Sequence, residues 1–439
     1  MKPWVVKDKF IPRGRINFPG DKSIAHRALI LSALSKGKSI INNFPLHDDS
    51  LATLYALETL GVKIQRSGQQ LLIWGRGGLG LKRPKKSIFV NNSGTTLRLL
   101  CGLLSGQNFK SKLTVGKYLK QRPMARVNIP LRLMGAKISA KKIGRQEYPP
   151  LNICGQKLHG ISYFSPVASA QVKGAILLAG LSARGKTEVR ELLLTRDHTE
   201  RMLKVFGANL SVKKNKITLT PGRELISPGK IYIPGDISSA AFFMVLTTII
   251  PGSRIIMQKV SLNPGRLGII KLLKRMGADI KIEIIRAQSL KNFEPLGNLI
   301  VKSSKLKGVN VSKGEIPFVI DELPILMVAA CFAKGRTTIH GANELRVKET
   351  DRINSMVSNL KSMQAQIQVH KISGQENIVI QGQGWLCGAK LKSCGDHRTA
   401  MSMIVAALAA RGESELDDVN CINKSFPGFL DTLGGLRKQ

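Results

Sequence analysis

Six stretches of this chain are apolar on nearly every helical face, and each opens on polar residues and closes on a small or turn-forming one. They are SIAHRALILSALSKGKSII, SGTTLRLLCGLLSGQNFKSKLTV, SAQVKGAILLAGLSARGKTEV, SSAAFFMVLTTIIPGSRIIM, DELPILMVAACFAKGRTTI and DHRTAMSMIVAALAARGESEL. A helix that is apolar all round belongs inside a domain, not on its surface. The β-rich residues after each turn predict a strand. A second phrase keeps the same period. Amphipathic stretches such as SLATLYALETLG run into LGVKI, MGAKI, FGANL, MGADI and MQAQI, with a degraded LGGL near the end. A glycine here predicts a left-handed helix cap, and the apolar residues after it a new strand.

The pattern reads as six βαβ-type units, three to a domain. The run 226–236 is the expected crossover and 12–21 the matching return. Residues 1–20 together with 235–439 are then one domain and 21–234 the other, with the N-terminal strand joining the second half. The irregular stretch 281–307 is read as a long hairpin. WGRGGLG lacks the Lys-Ser/Thr ending of a nucleotide loop and is read as a turn.

Composition changes this picture little. A hydrophobic content of 43% in 439 residues supports real cores. The net charge of +40 raises nucleic-acid binding, but the basic residues are dispersed and aromatics are only 5%, so base-stacking platforms are not expected. Six cysteines show neither C-x-x-C nor metal-ligand spacing, which predicts free thiols in a reducing compartment, with Cys101 and Cys331 in the core. No metal is expected. The longest apolar runs fall short of the ~20 residues of a membrane span, so a cytoplasmic protein is expected.

The chemistry gathers at the starts of the six apolar helices: Lys22-Ser23, Ser93-Gly94-Thr95, Ser169-Ala170-Gln171, Ser238-Ser239, Asp321-Glu322 and Asp396-His397-Arg398. Hydroxyls and Asp are ordinary caps, and Ser23 is read as one. Capping does not account for Lys22, Gln171 or Arg398. Cations at the positive end of a helix dipole are unfavourable unless an anion joins them. QRPMARV places Arg122 in an extended segment before a proline. LRVKETDRI places Lys348 and Arg352 four apart, on one face if helical, and taken alone reads as an exposed ion-pair face. RDHTERML offers Arg196, Asp197 and His198 before a helix, and NKSFPGF leaves Lys424 in a loop. His397 is read as a packed histidine.

Together the phrases PGDKSIAHRALILSALSKG, NNSGTTLRLL, QRPMARV, SAQVKGAILLAGL, RDHTERML, GDISSAAFF, RVKETDRI and GDHRTAM closely resemble the 5-enolpyruvylshikimate-3-phosphate (EPSP) synthase family, in its class II form. The resemblance runs from about residue 12 to the C-terminus. It implies an α/β fold of two domains, each of three βαβαββ units around buried parallel helices, with the active site in the interdomain cleft. It further implies transfer of the enolpyruvyl group of phosphoenolpyruvate to the 5-hydroxyl of shikimate 3-phosphate, through a tetrahedral intermediate, with no cofactor. By motif match, Lys22, Ser23, Arg27, Ser169, Gln171, Arg196, Asp321 and Lys348 would hold shikimate 3-phosphate. Lys22, Gly94, Arg122, Gln171, Arg352, Arg398 and Lys424 would meet phosphoenolpyruvate. Asp321 would be the base, with Glu349 and Lys22 in proton transfer. A Gly at position 94 is expected to leave room for glyphosate to enter. The partners expected are these two anions alone, with neither nucleic acid nor membrane, and the chain is expected to be a monomer.

Asn91, Gly174, Thr399 and Glu344 depart from the usual pattern without removing a charged catalytic group. The sister enzyme acting on UDP-N-acetylglucosamine uses a loop cysteine, which GKYLKQRPMAR lacks. A basic nucleic-acid-binding protein on the same fold is the remaining alternative, and retention of Lys22, Asp321, Glu349 and Arg398 speaks against it.

Overall fold

The structure, a computed structural model, describes residues 3–6, 9–285 and 293–437. The six apolar stretches are helices at Lys22–Leu34, Gly94–Ser105, Ala170–Gly180, Ile237–Ile249, Leu323–Phe332 and His397–Ala409. Their burial is nearly complete: every residue of 237–248 is buried, and so is every residue of 323–331. Each fully buried Leu, Ile or Phe contributes roughly 1.5–3 kcal/mol, so these helices form the cores and do not merely cover them. Cys101 and Cys331 lie among them, and burial pushes both thiols up to about 12.

Among the described residues the strands form six sheets. One of them gives the rule. Ile88–Phe89 leads through the helix Gly94–Ser105 to Lys110–Thr114, which runs parallel to it. The amphipathic helix Ala125–Leu133 follows, then the hairpin Lys137–Ile143 and Gln146–Cys154, whose second strand pairs antiparallel with Lys110–Thr114. The buried helices Gly94–Ser105, Ala170–Gly180, Leu323–Phe332 and His397–Ala409 are parallel crossovers of this kind, and the amphipathic helices of five repeats each deliver a hairpin to the sheet edge. The predicted left-handed caps are present, with φ of +82° at Gly61, +94° at Gly135, +85° at Gly207 and +97° at Gly277, and Gln364 takes the same conformation without a glycine. The expected hairpin is formed by Asp279–Ile285 and Leu296–Lys302, with its connection 286–292 outside the described residues.

The sixth repeat differs. LGGL ends no helix and starts no strand; it lies within the helix Phe429–Arg437. Its sheet therefore lacks the hairpin, and the N-terminal strand Trp4–Val6 pairs antiparallel with Ser414–Leu416 instead.

The chain divides into two compact units. One holds the residues up to Pro19 and those from Gly235 onward, apart from the segment ending at Glu294; the other holds Gly20–Pro234 with Phe293 and Glu294. Strand Arg13–Asn17 pairs in parallel with Arg254–Ser261 in the first unit, and Lys230–Tyr232 with Lys38–Asn42 in the second. In the first unit Phe18, Phe242, Phe243, Phe426 and Phe429 meet in largely edge-to-face pairs with centroids 5.4–6.2 Å apart, which fixes the turn carrying Lys424.

In the second unit His26 is fully buried, with Nδ1 2.6 Å from Thr53 Oγ1, and burial pushes its imidazole down to about 3. The unfolded chain binds that proton near pH 6.5. Stability should therefore be lost as pH falls from about 6.5 towards 3, by at most about 1.4 kcal/mol per pH unit from this group. Urea titrations at several pH values check this. His26→Gln should flatten the slope, and an equal slope in both proteins would refute the assignment.

Candidate active site

In the second unit the first buried helix is capped by Asp21, whose Oδ1 accepts from Ile24 N at 3.0 Å. Ser23 is not the cap, because the helix already begins at Lys22. Its carbonyl instead accepts from Arg27 Nη1 at 2.7 Å. Lys22 Nζ lies 2.9 Å from Asp49 Oδ2, so a buried carboxylate holds the cation at the helix start. Arg27 is buried, and its Nε donates to Thr199 Oγ1 at 2.7 Å.

The next two helices begin as the sequence predicts, capped by Ser93 and Ser169. Between them Gln171 Oε1 accepts from Arg98 Nη1 at 2.5 Å, and its Nε2 donates to Thr95 Oγ1 at 2.8 Å. Gly94 faces this cluster closely. A Cβ there would lie 2.9 Å from Arg98 Nη1 and 3.2 Å from Arg122 Nη1. Arg122 has the extended backbone its proline imposes, with φ −91° and ψ 125°. Asn91 has φ +49°, a left-handed conformation that Asn tolerates better than most residues, which accounts for Asn where a glycine is usual. Arg196 is half-buried in the loop before the helix His198–Val205.

In the first unit the centre is Arg352, only 1% exposed. Its Nε donates to Asp396 Oδ2 at 2.8 Å, its Nη2 to Glu349 Oε2 at 2.6 Å, and its Nη1 lies 3.7 Å from Asp321 Oδ1. Burial opposes its charge, but Asp396, Glu349 and Asp321 together outweigh burial and raise its pKa. Arg398 Nη1 donates to the carbonyl of Asp321 at 2.7 Å, and Lys424 Nζ lies 3.7 Å from Glu349 Oε1. Lys348 joins this group, its amine pushed down to about 8 by burial against the pull of Asp321. An exposed ion-pair face is thus excluded for LRVKETDRI. Nor are Lys348 and Arg352 on one helical face: Lys348 follows the short 3-10 helix Asn343–Val347, and the next α-helix starts only at Arg352.

Two further helix starts correct the sequence reading. Asp236 caps the helix Ile237–Ile249, leaving Ser238 and Ser239 in its first turn. Glu322 caps nothing with its side chain; it accepts from Ser238 Oγ and lies 3.3 Å from Arg266 Nη2. Sequence reasoning missed Asp49, Arg98, Arg266 and the ion-pair role of Asp396. Arg98 was detectable as the single charge in the apolar run LRLLCGLL.

Among the described residues no group of His, Cys, Asp and Glu is placed to hold a metal ion, and no helix is long and apolar enough to cross a membrane. Parallel-crossover repeats with cations and carboxylates at their helix starts make an α/β protein of a class suited to holding small anions. Comparison with known proteins narrows this. The family model of EPSP synthase (3-phosphoshikimate 1-carboxyvinyltransferase) matches residues 12–433. The chain is 46% identical over 436 residues to the 3-phosphoshikimate 1-carboxyvinyltransferase of Geobacter sp. (strain M21), covering 99% of both, and 48% identical over 425 residues to that of Syntrophomonas wolfei, covering 97% of both. Its fold is similar to the solved EPSP synthase from Acinetobacter baumannii, with a TM-score of 0.86 and 40% identity over 99% of this chain and 97% of that one. The chain belongs to the EPSP synthase family.

Proposed function

We propose that this protein transfers the enolpyruvyl group of phosphoenolpyruvate to the 5-hydroxyl of shikimate 3-phosphate and releases phosphate. The observation that carries this reading is the gathering of Asp321, Lys348, Glu349, Arg398 and Lys424 around the buried Arg352. Each phosphate brings roughly 1.5–2 negative charges and each substrate adds a carboxylate, so two such ligands repel unless cations are already in place. Asp321 takes the proton of the 5-hydroxyl as its oxygen adds to C2 of phosphoenolpyruvate. Glu349, with Lys22, exchanges the proton at C3, and phosphate leaves as C3 returns it. Arg122, Arg352, Arg398 and Lys424 hold phosphoenolpyruvate with Gln171 and the open approach at Gly94. Lys22, Ser23, Arg27, Ser169, Gln171, Arg196, Asp321 and Lys348 hold shikimate 3-phosphate. The reading places the work in the cytoplasm.

The test is phosphate release from purified protein. It should require both substrates together, and release with UDP-N-acetylglucosamine in place of shikimate 3-phosphate, or none at all, would end the proposal. Gly94→Ala gives a finer check. The new Cβ crowds the side-chain ends of Arg98 and Arg122 and no backbone atom, so folding should be kept. We expect KM for phosphoenolpyruvate to rise a few-fold and inhibition by glyphosate to weaken more. Equal changes in the two constants would show that Gly94 does not discriminate between them.

A further inference from the structure

One buried cluster in the second unit has no part in the chemistry above. Lys173, 1% exposed, lies in the helix Ala170–Gly180. Its Nζ is 2.8 Å from Glu191 Oε2 and 2.6 Å from Glu200 Oε1, both carboxylates being buried. Glu191 ends the strand Thr187–Glu191, and Glu200 lies in the helix His198–Val205. The loop between them exposes Leu192, Leu193 and Leu194, so its own side chains give it little apolar anchorage. It is closed by polar contacts instead. Thr195 Oγ1 donates to Glu191 Oε1, and Asn215 Nδ2 donates to the Glu191 carbonyl at 2.8 Å. Arg196 is the next residue, and Thr199, which accepts from Arg27, lies one turn on.

We infer that Lys173, Glu191 and Thr195 form a positioning network that sets Arg196 for shikimate 3-phosphate. The inference rests on the assignment of Arg196 to shikimate 3-phosphate. Lys173 ties the helix that Ser169 caps and that bears Gln171 to both ends of the loop bearing Arg196, so one buried amine registers two substrate-holding segments. A charged hydrogen-bonded network of this kind fixes geometry more than it adds stability.

Thr195→Val removes the loop's hydroxyl tie at nearly constant volume. Its KM for shikimate 3-phosphate should rise about tenfold, the order expected for losing one hydrogen bond to a charged group. KM for phosphoenolpyruvate should stay near wild type, and Thr195→Ser should restore the lost affinity. Hydrogen exchange of the amides of residues 192–196 reads the same tether without substrate and should accelerate in Thr195→Val. A Lys173→Met/Glu191→Gln/Glu200→Gln triple change, which neutralises both carboxylates together with the amine, should shift the same two readouts. Unchanged exchange and an unchanged KM for shikimate 3-phosphate in folded Thr195→Val would overturn the inference. If wild-type protein fails to use shikimate 3-phosphate while exchange still accelerates, the substrate assignment falls and the tether stands.

Discussion

Asp321→Ala is expected to lower turnover by about 10²–10⁴-fold, the range for removing a positioned general base, with little change in stability. The structure gives the reason for that separation. Arg398 grips the main-chain carbonyl of residue 321, which alanine retains. Arg352 keeps its shorter contacts to Asp396 and Glu349 and loses only the partner at 3.7 Å. Substrate affinities should change much less than turnover, because the cations remain. Single-turnover kinetics beside urea unfolding would check both halves. Near-normal turnover in the folded variant would remove Asp321 from proton transfer.

Arg352→Met should be damaging in a different way. It leaves Asp396, fully buried, without its guanidinium, and it takes from Glu349 the shorter of its contacts to Arg352 and Lys424. Breaking a buried ion pair by deleting one partner costs roughly 3–5 kcal/mol. The backbone N–H of Arg398, 2.8 Å from Asp396 Oδ1, offsets part of that. The unfolding midpoint should fall clearly, and phosphate release should be lost because the phosphoenolpyruvate site loses its central cation. A second change separates the two effects. Arg352→Met/Asp396→Asn should recover stability, since the stranded carboxylate is neutralised, and should not recover turnover. Recovery of both would mean that Arg352 serves only the fold.

Much of the architecture was legible because it repeats. LGVKI, MGAKI, FGANL and MGADI each mark the end of an amphipathic helix through a left-handed glycine, and the apolar runs mark the interior helices. LGGL misled because the residues that make a cap also fit inside a helix when no strand follows to take up the chain. At the helix starts, Ser93, Ser169 and Asp396 were readable as caps, since a cap contacts its own neighbours. Ser23 was misplaced by two positions, because the preceding Asp21 is an equally good cap.

The sequence alone therefore determined whatever depends on neighbours in the chain: the period of the elements, their burial, most of their caps, and the extended backbone at Arg122. Only the tertiary structure decided which charges meet. Lys22 finds Asp49 across 27 residues, Arg352 finds Asp396 across 44, and Arg98 finds Gln171 across 73. Periodicity and propensity act over one or two turns of backbone, whereas an ion pair or hydrogen bond needs its atoms within about 3–4 Å. For residues so far apart in the chain, the packing of the repeats alone sets that distance.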